Sequence, residues 1–261
     1  MRPCGPEAVR HAVVTGAASG IGAATARRLA RDGFRIGLLD LRADATRDVA
    51  DEIAAGGGKA YALEADVTDP GQLASVFGEA RDVQAELSVL VNSAGVVAVN
   101  RFEDFSPVDW RRTYEVNVIG TYLAMVAALP ALRAADEPAR VINVASAAGK
   151  RAGPFTAPYN ASKAAVINLS RTAATAWAPD VLVNCVCPGV IDTPMWQSID
   201  RQLEELGAGP EASFAERTAA LPIARAGHAD EVAELIGALA GAAGAYVLGE
   251  DINVSGGLVM H

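Results

Sequence analysis

The sequence predicts one α/β domain: a doubly wound, seven-stranded parallel sheet with helices on both faces. Three observations carry that prediction. Short runs rich in valine, isoleucine and leucine alternate with longer stretches at helical spacing, the pattern of strand and crossover-helix units that build a parallel sheet. The first of these units has a glycine-rich strand-to-helix turn, Gly16-Ala17-Ala18-Ser19-Gly20-Ile21-Gly22. At 261 residues, 51% of them hydrophobic and with no shift in composition along the chain, there is material for one large core and no sign of a second domain.

His11-Ala12-Val13-Val14-Thr15 reads as the first strand, and an alanine-rich helix follows the glycine turn to about Arg31. Glycines there let the backbone turn tightly and approach a pyrophosphate, whose charge is favoured by the free amides at the helix N-terminus. The second strand, 34–39, ends in Asp40, eighteen residues after Gly22. A carboxylate at that place accepts hydrogen bonds from the hydroxyls of an adenosine ribose and repels a 2′-phosphate, which favours NAD over NADP. Ser19 and Leu41 are uncharged, and Arg42, which pulls the other way, reads as a solvated side chain opening the next helix.

A helix over 43–55 leads through Gly56-Gly57-Gly58 to a third strand, 59–65, and then Asp66-Val67-Thr68-Asp69. Asp69 is placed to cap the helix that Pro70 opens, and 87–91 is the fourth strand, ending in the turn Asn92-Ser93-Ala94-Gly95. A long helix over 107–134 carries Asn117 in mid-course, where an amide competes with backbone hydrogen bonds and needs a reason. Residues 141–145 form the fifth strand, with Ser146 at its end. The next helix begins near Tyr159 and runs to about Ala178, with Ala165, Leu169, Thr172, Ala173 and Ala176 along one side. Small side chains let another helix approach, either from the core or from a second subunit. The sixth strand, 181–187, leads into Pro188-Gly189-Val190-Ile191-Asp192-Thr193. Short helices with apolar anchors and a Gly207-Ala208-Gly209-Pro210 hinge fill 194–221. A final helix over 230–239 and a seventh strand over 250–254, ending in Ser255-Gly256-Gly257, complete the order.

The net charge of −9 disfavours a polyanionic partner such as nucleic acid. The start, 1–10, reads as flexible and has no apolar run of the signal-peptide kind; no run elsewhere is read as long enough to cross a bilayer. Cys185 and Cys187 lie two apart on one strand, so both thiols face one side as small buried hydrophobes, and Cys4 is left over. The expectation is a reduced cytoplasmic protein without a metal site.

Tyr159 and Lys163 are four residues apart, so one helix face places the ammonium beneath the phenol and favours the ionised form. A free phenol titrates at about 10, and each unit of lowering takes about 1.4 kcal/mol. Ser146, thirteen residues upstream of Tyr159, offers a hydroxyl to the oxygen whose proton the tyrosine handles. Ser146, Tyr159 and Lys163 at these spacings, together with the glycine turn, Asn92-Ser93-Ala94-Gly95, Asn117 and the Pro188-Gly189 turn, resemble the short-chain dehydrogenase/reductase family from Val13 to Gly257. The resemblance implies a Rossmann fold. It implies a nicotinamide cofactor held by Gly16, Ser19, Gly20, Ile21, Gly22, Asp40 and Leu41, with Asp66 and Val67 flanking the adenine. Asn92, Ala94 and Gly95 would shape the turn against a ribose, Tyr159 and Lys163 would approach it, and Pro188, Gly189, Ile191 and Thr193 would hold the carboxamide end.

The resemblance further implies that Asn117, at a helix distortion, holds a water linking Lys163 to solvent. It makes 194–221 a substrate lid and the helix after Tyr159 the pairing face of a homodimer or homotetramer. Ser93, Ala176-Trp177 and Ser255 depart from the residues most relatives have there. The function expected is hydride transfer between a secondary alcohol and NAD, with Tyr159 as general acid/base; ketone reduction of the 3-oxoacyl or polyketide type with NAD(P)H is the alternative. A catalytically silent nucleotide-binding redox sensor would have no need of the set Asn117, Ser146, Tyr159 and Lys163, and epimerase or dehydratase chemistry on nucleotide sugars belongs with longer relatives. The expected substrate wall, Val96, Val97, Ala148, Phe155, Met195 and Trp196, is apolar, with only Lys150 or Arg151 as fixed charges near it. That composition favours a neutral or mostly apolar hydroxy compound over a small acid.

Overall fold

The computed structural model describes residues 9–84 and 86–260, so most of the expected flexible start, including Cys4, lies outside the described residues. In chain order the first half contains β1 (His11–Thr15), α1 (Gly20–Arg31), β2 (Arg35–Asp40), α2 (Ala43–Ala55), β3 (Lys59–Glu64), α3 (Pro70–Val83) and β4 (Val89–Asn92). Next come α4 (Pro107–Tyr114), α5 (Thr121–Arg133), β5 (Ala139–Val144), α6 (Ala157–Trp177) and β6 (Val181–Pro188). The last part holds β7 (Ile191–Asp192), α7 (Pro194–Glu205), α8 (Phe214–Ala219), β8 (Gly227–His228), α9 (Ala229–Ala240) and β9 (Asp251–Val254).

Seven parallel strands pair in the order β3-β2-β1-β4-β5-β6-β9. The strand order reverses between β1 and β4, and the crevice beyond their carboxyl ends is where an open α/β sheet binds its ligand. β7 and β8 form a separate two-residue ribbon, too short to register as a run in the sequence.

Alternation along β1 sorts the core into two layers. Ala12 and Val14 join the layer under α1, α2 and α9, while Val13 joins the one under α3, α5 and α6. Leu38 and Leu39 likewise point to opposite layers, both fully buried, and each such side chain contributes about 1.5–3 kcal/mol of transfer free energy. Asp69 caps α3 as expected, accepting from the amides of Gly71 and Gln72 at 2.8 and 3.1 Å. Cys185 and Cys187 are both buried, in one cluster with Ala145, Val166 and Ile167. On α6 only Ala173 of the small-residue side is buried; Thr172 and Ala176 stay exposed.

The long central helix carries the distortion that the resemblance implied at Asn117. It is α-helical over α4 and α5 but opens into a π-helical turn at Glu115–Gly120, around Asn117. Thr121 Oγ1 donates to the Asn117 carbonyl at 2.8 Å, which helps satisfy the widened turn. The stretch Pro107–Arg133 is also long and apolar enough by composition to cross a membrane, so the expectation of no such run needs correcting. Here its apolar residues pack on the sheet, with α3 and α6 as neighbours, which is the setting of a core helix.

One buried titratable group sits apart from the crevice, at the start of β1. His11 Nδ1 lies 3.3 Å from the Glu86 carbonyl and Nε2 2.8 Å from the Tyr61 hydroxyl. A carbonyl only accepts, so Nδ1 donates and Nε2 accepts from the phenol, an arrangement that suits the neutral ring. Burial lowers the imidazole to about 4 from its ordinary 6.5, and burial likewise raises Tyr61. The folded value lies below the unfolded one, so this stabilisation is complete above about pH 6.5 and is lost as pH falls toward 4. The shift corresponds to about 3 kcal/mol. Urea unfolding at pH 7 and pH 4.5 should show a smaller loss of stability in His11→Gln than in the parent chain; an equal loss would place the acid sensitivity elsewhere.

Candidate active site

A cleft of about 550 Å³ opens at the carboxyl ends of the central strands. Its floor at the β1 end is the glycine turn. Gly16 has φ +66°, and a Cβ there would lie 2.7 Å from the Ala94 amide, so the first strand-to-helix turn and the turn after β4 touch backbone to backbone. Thr15 Oγ1 fastens the same junction by accepting from the amides of Ser93 and Ala94 at 3.1 and 3.2 Å, a role the sequence reading missed.

Of the residues expected to hold a cofactor, Gly16, Ser19, Gly20, Ile21, Asp40, Leu41, Asp66, Val67, Ala94, Gly95, Pro188, Gly189, Ile191 and Thr193 line the cleft, as do Tyr159 and Lys163. Gly22 and Asn92 do not. A side chain on Gly22 would run into the Gly16 carbonyl, so its place is in packing α1 against the turn. Asn92 is buried and donates to Asn143 Oδ1 at 2.8 Å, which ties β4 to β5 below the turn. Arg112 and Glu115 of the central helix line the cleft and were not foreseen.

At the far end of β2 the Asp40 carboxylate accepts from the amides of Ala18 and Arg42, both at 3.1 Å. Arg42 is not simply solvated. Its guanidinium donates to Ser19 Oγ at 3.1 Å and lies 3.5 Å from Asp40, at the β2 end of the cleft. The sequence spacing placed Arg42 correctly but could not reveal that the chain bends back toward the glycine turn.

The chemistry-bearing residues meet at the other end. Ser146 follows β5, accepts from the Ala148 amide at 3.1 Å and hydrogen-bonds Tyr159. Burial raises the Tyr159 phenol above its ordinary value, and the Ser146 hydrogen bond opposes that rise. Lys163 lies 5.6 Å from the Tyr159 ring centroid and donates to the Val144 carbonyl at 2.8 Å. Burial pushes its ammonium down to about 8, against the pull of Cys185 and Cys187. The Ser146 hydroxyl is thus one side chain here that favours the phenolate. Asn117 does not line the cleft; its amide is spent on Val96, whose N–H it accepts at 2.8 Å, and on Ser162, to which it donates at 3.0 Å. It braces the turn after β4 against the helix of Tyr159 and Lys163.

The expected substrate wall divides. Val96, Met195 and Trp196 line the cleft, whereas Val97 and Phe155 pack behind them with Ile199, Leu203 and Ala212. Ala148 contributes its amide to Ser146 and lines no part of the cleft. Lys150, considered as a charge near the wall, turns away: its Nζ donates to the Asp251 carbonyl at 2.7 Å and pairs with the Asp251 carboxylate at 2.7 Å. Arg171 of α6 holds the other oxygen of the same carboxylate at 2.5 Å. Desolvation would raise Asp251, but the bonds from Lys150 and Arg171 win and hold it below the usual carboxylate range. Gly149 sits against the Lys163 backbone, where a Cβ would come within 2.7 Å of its carbonyl carbon. The loop bearing Ser146 and the helix bearing Tyr159 and Lys163 are thus pinned together and to the edge strand.

A hydride-transferring oxidoreductase that acts on alcohol and ketone groups is the class this fold and cleft define. The short chain dehydrogenase model matches residues 10–204, and the chain belongs to that family, whose members use an NAD(P) cofactor. It is 34% identical over 250 residues to oxidoreductase UcpA of Escherichia coli strain K12, covering 95% of this chain and 94% of that one. It is 38% identical over 252 residues to cis-4-hydroxycyclohexanecarboxylate dehydrogenase of Sinomonas cyclohexanicum, covering 96% of each. A solved structure of actinorhodin polyketide ketoreductase with NADPH superposes with a TM-score of 0.89 at 30% identity, over 95% of this chain and 97% of that one.

Asp251→Asn leaves Lys150 and Arg171 with half their partner, and is expected to cost about 1–2 kcal/mol of stability after allowance for solvent at the Arg171 side. Urea unfolding at pH 7 measures it; no change would mean the clamp holds nothing.

Proposed function

We propose that this chain is an NAD-dependent oxidoreductase that interconverts a secondary alcohol and a ketone, with Tyr159 as general acid/base. The observation that carries the proposal is the meeting of Tyr159, Ser146 and Lys163 at one end of a cleft whose other end is the glycine turn and Asp40. The residues fit a dinucleotide: close backbone at Gly16 and Gly20 suits the pyrophosphate, and Asp66 with Val67 borders the adenine region. When bound, the nicotinamide supplies or accepts the hydride.

The chain's own residues handle the proton and the geometry. Tyr159 takes the hydroxyl proton of the alcohol, or returns it to the ketone oxygen, within reach of Ser146, which orients that oxygen. Lys163 stands behind the phenol on the next turn of α6 and binds the nicotinamide ribose. Asn117 keeps the turn after β4 and α6 in register and lies on the route by which the proton reaches solvent. Met195 and Trp196 at the start of the 194–221 segment cover the substrate and exclude water.

NAD is preferred over NADP because the Asp40 carboxylate stands at the ribose and repels a 2′-phosphate. Arg42 is already engaged with Asp40 and Ser19, so its charge is partly compensated. Ketone reduction of the ketoreductase type is the second reading, favoured by the fit to a ketoreductase structure with NADPH. A homodimer or homotetramer is supported by the exposed apolar side chains Ile119, Tyr122 and Val126 on the central helix, beside the small-residue side of α6.

Two measurements test the proposal. Tyr159→Phe should lose about 10²–10⁴-fold in kcat on a panel of secondary alcohols while the Kd for NADH stays put. Turnover unaffected in that variant contradicts the assignment. The parent chain should show a higher kcat/KM with NAD than with NADP, and Asp40→Ser, which frees Arg42 for a phosphate, should raise the NADP to NAD ratio at least about tenfold. A parent chain that prefers NADP would mean Arg42 outweighs Asp40.

A further inference from the structure

We infer that the substrate carries a flat ring, which lies on the indole of Trp196. The inference rests on the proposed reaction and adds the substrate class.

Trp196 is the third residue of α7, the helix that leaves β6 by way of β7. Ser146 Oγ donates to the Pro188 carbonyl at the end of β6, at 3.4 Å, so the segment that delivers Trp196 starts beside the acid/base residues. Tyr159 and Trp196 are the aromatic residues that line the cleft, and the phenol is engaged with Ser146. Trp196 is half-buried, with Met195 beside it. Neither Lys150 nor Arg151 lines the cleft, so this wall keeps the apolar character its composition suggests.

The indole is fixed from behind. Phe214 of α8 packs on it with ring centroids 5.6 Å apart and planes tilted by 55°. The Arg217 guanidinium lies over the ring, 5.8 Å from its centroid, and is itself held through Nε, which donates to the Ala212 carbonyl at 2.8 Å. The Phe214 amide donates to Asp200 Oδ1 at 2.8 Å, which ties α8 to α7. Phe214 and Arg217 line no part of the cleft, so the indole turns toward the cleft the face away from Arg217. Val97 and Phe155 close the same apolar cluster around Ile199 and Leu203.

A tryptophan held in this way has given up its rotamer freedom before a ligand arrives, so stacking on it costs little further ordering. An offset or tilted aromatic pair gains about two- to tenfold in affinity beyond the apolar area it buries. The Met195 thioether adds to that preference, since sulfur favours the edge of an aromatic ring. A flexible alkyl chain of the same size would bury similar area, but it would gain neither contact and would lose its own rotamers on binding. The substrate that fits has its flat ring on Trp196 and its carbinol carbon at Tyr159.

Isothermal titration of the enzyme–NADH complex, in which an alcohol cannot be oxidised, tests this with 1-phenylethanol and 2-octanol, two secondary alcohols of equal carbon number. Trp196→Leu should weaken 1-phenylethanol at least about threefold and 2-octanol less than about twofold. Trp196→Phe, which keeps a flat ring, should hold 1-phenylethanol within about twofold of the parent chain. NADH affinity and melting temperature of the variants check that the fold is kept. No binding of 1-phenylethanol to the parent complex, a loss shared equally by the two alcohols, or no loss in Trp196→Leu overturns the ring platform while leaving the hydride-transfer reading intact. A chain that does not bind NADH overturns both.

Discussion

A buried ammonium on α6 is the constraint to which most of the site answers. Lys163 is almost fully enclosed, and a charge taken out of water is tolerable only if fixed dipoles replace the lost hydration. The Val144 carbonyl, at the end of β5, supplies one such dipole, so the helix must lie where Nζ reaches the strand end. That placement brings Tyr159, one turn earlier, to the same strand end, where Ser146 follows. Gly149 then has to be a glycine, because the loop after Ser146 crosses the Lys163 backbone in contact.

The braces around this arrangement come from three directions. Asn117, in its π-helical turn, grips Val96 and Ser162 together. Lys150 and Arg171 converge on Asp251 at the sheet edge. The buried chain from Asn92 through Asn143 to Ser170 links β4, β5 and α6 across the interior, in hydrogen bonds of 2.8 Å. Each brace bears on an element or loop that carries Ser146, Tyr159 or Lys163, or on the turn after β4 that faces them. The proposed transfer of a proton in step with a hydride needs that relative position held to fractions of an ångström.

Much of this was legible beforehand. The succession of strands and helices follows from alternating apolar runs, and the glycine turn, Asp40 and the Tyr159–Lys163 spacing are local signals that survive folding because each sits on one element. What was not legible depends on contacts between elements distant in sequence. Lys150 and Asp251 are 101 residues apart, and nothing in either neighbourhood announces the pair. Arg42 looked solvated because its contact with Ser19 spans 23 residues and a chain reversal. The π-helical turn had one sequence signal, an asparagine inside an apolar helix, and that signal marked the right place.

The most direct test of the account follows the carbinol hydrogen itself. A secondary alcohol that the enzyme oxidises, deuterated at its carbinol carbon, is turned over with NAD in ordinary water, and the reduced cofactor is examined by mass spectrometry and NMR. Direct transfer in this cleft predicts one deuterium retained in the reduced nicotinamide ring on one face, with a slower rate than the protiated alcohol when chemistry limits turnover. Deuterium washed out into solvent, with none in the cofactor, would contradict hydride transfer and remove the role given to Tyr159.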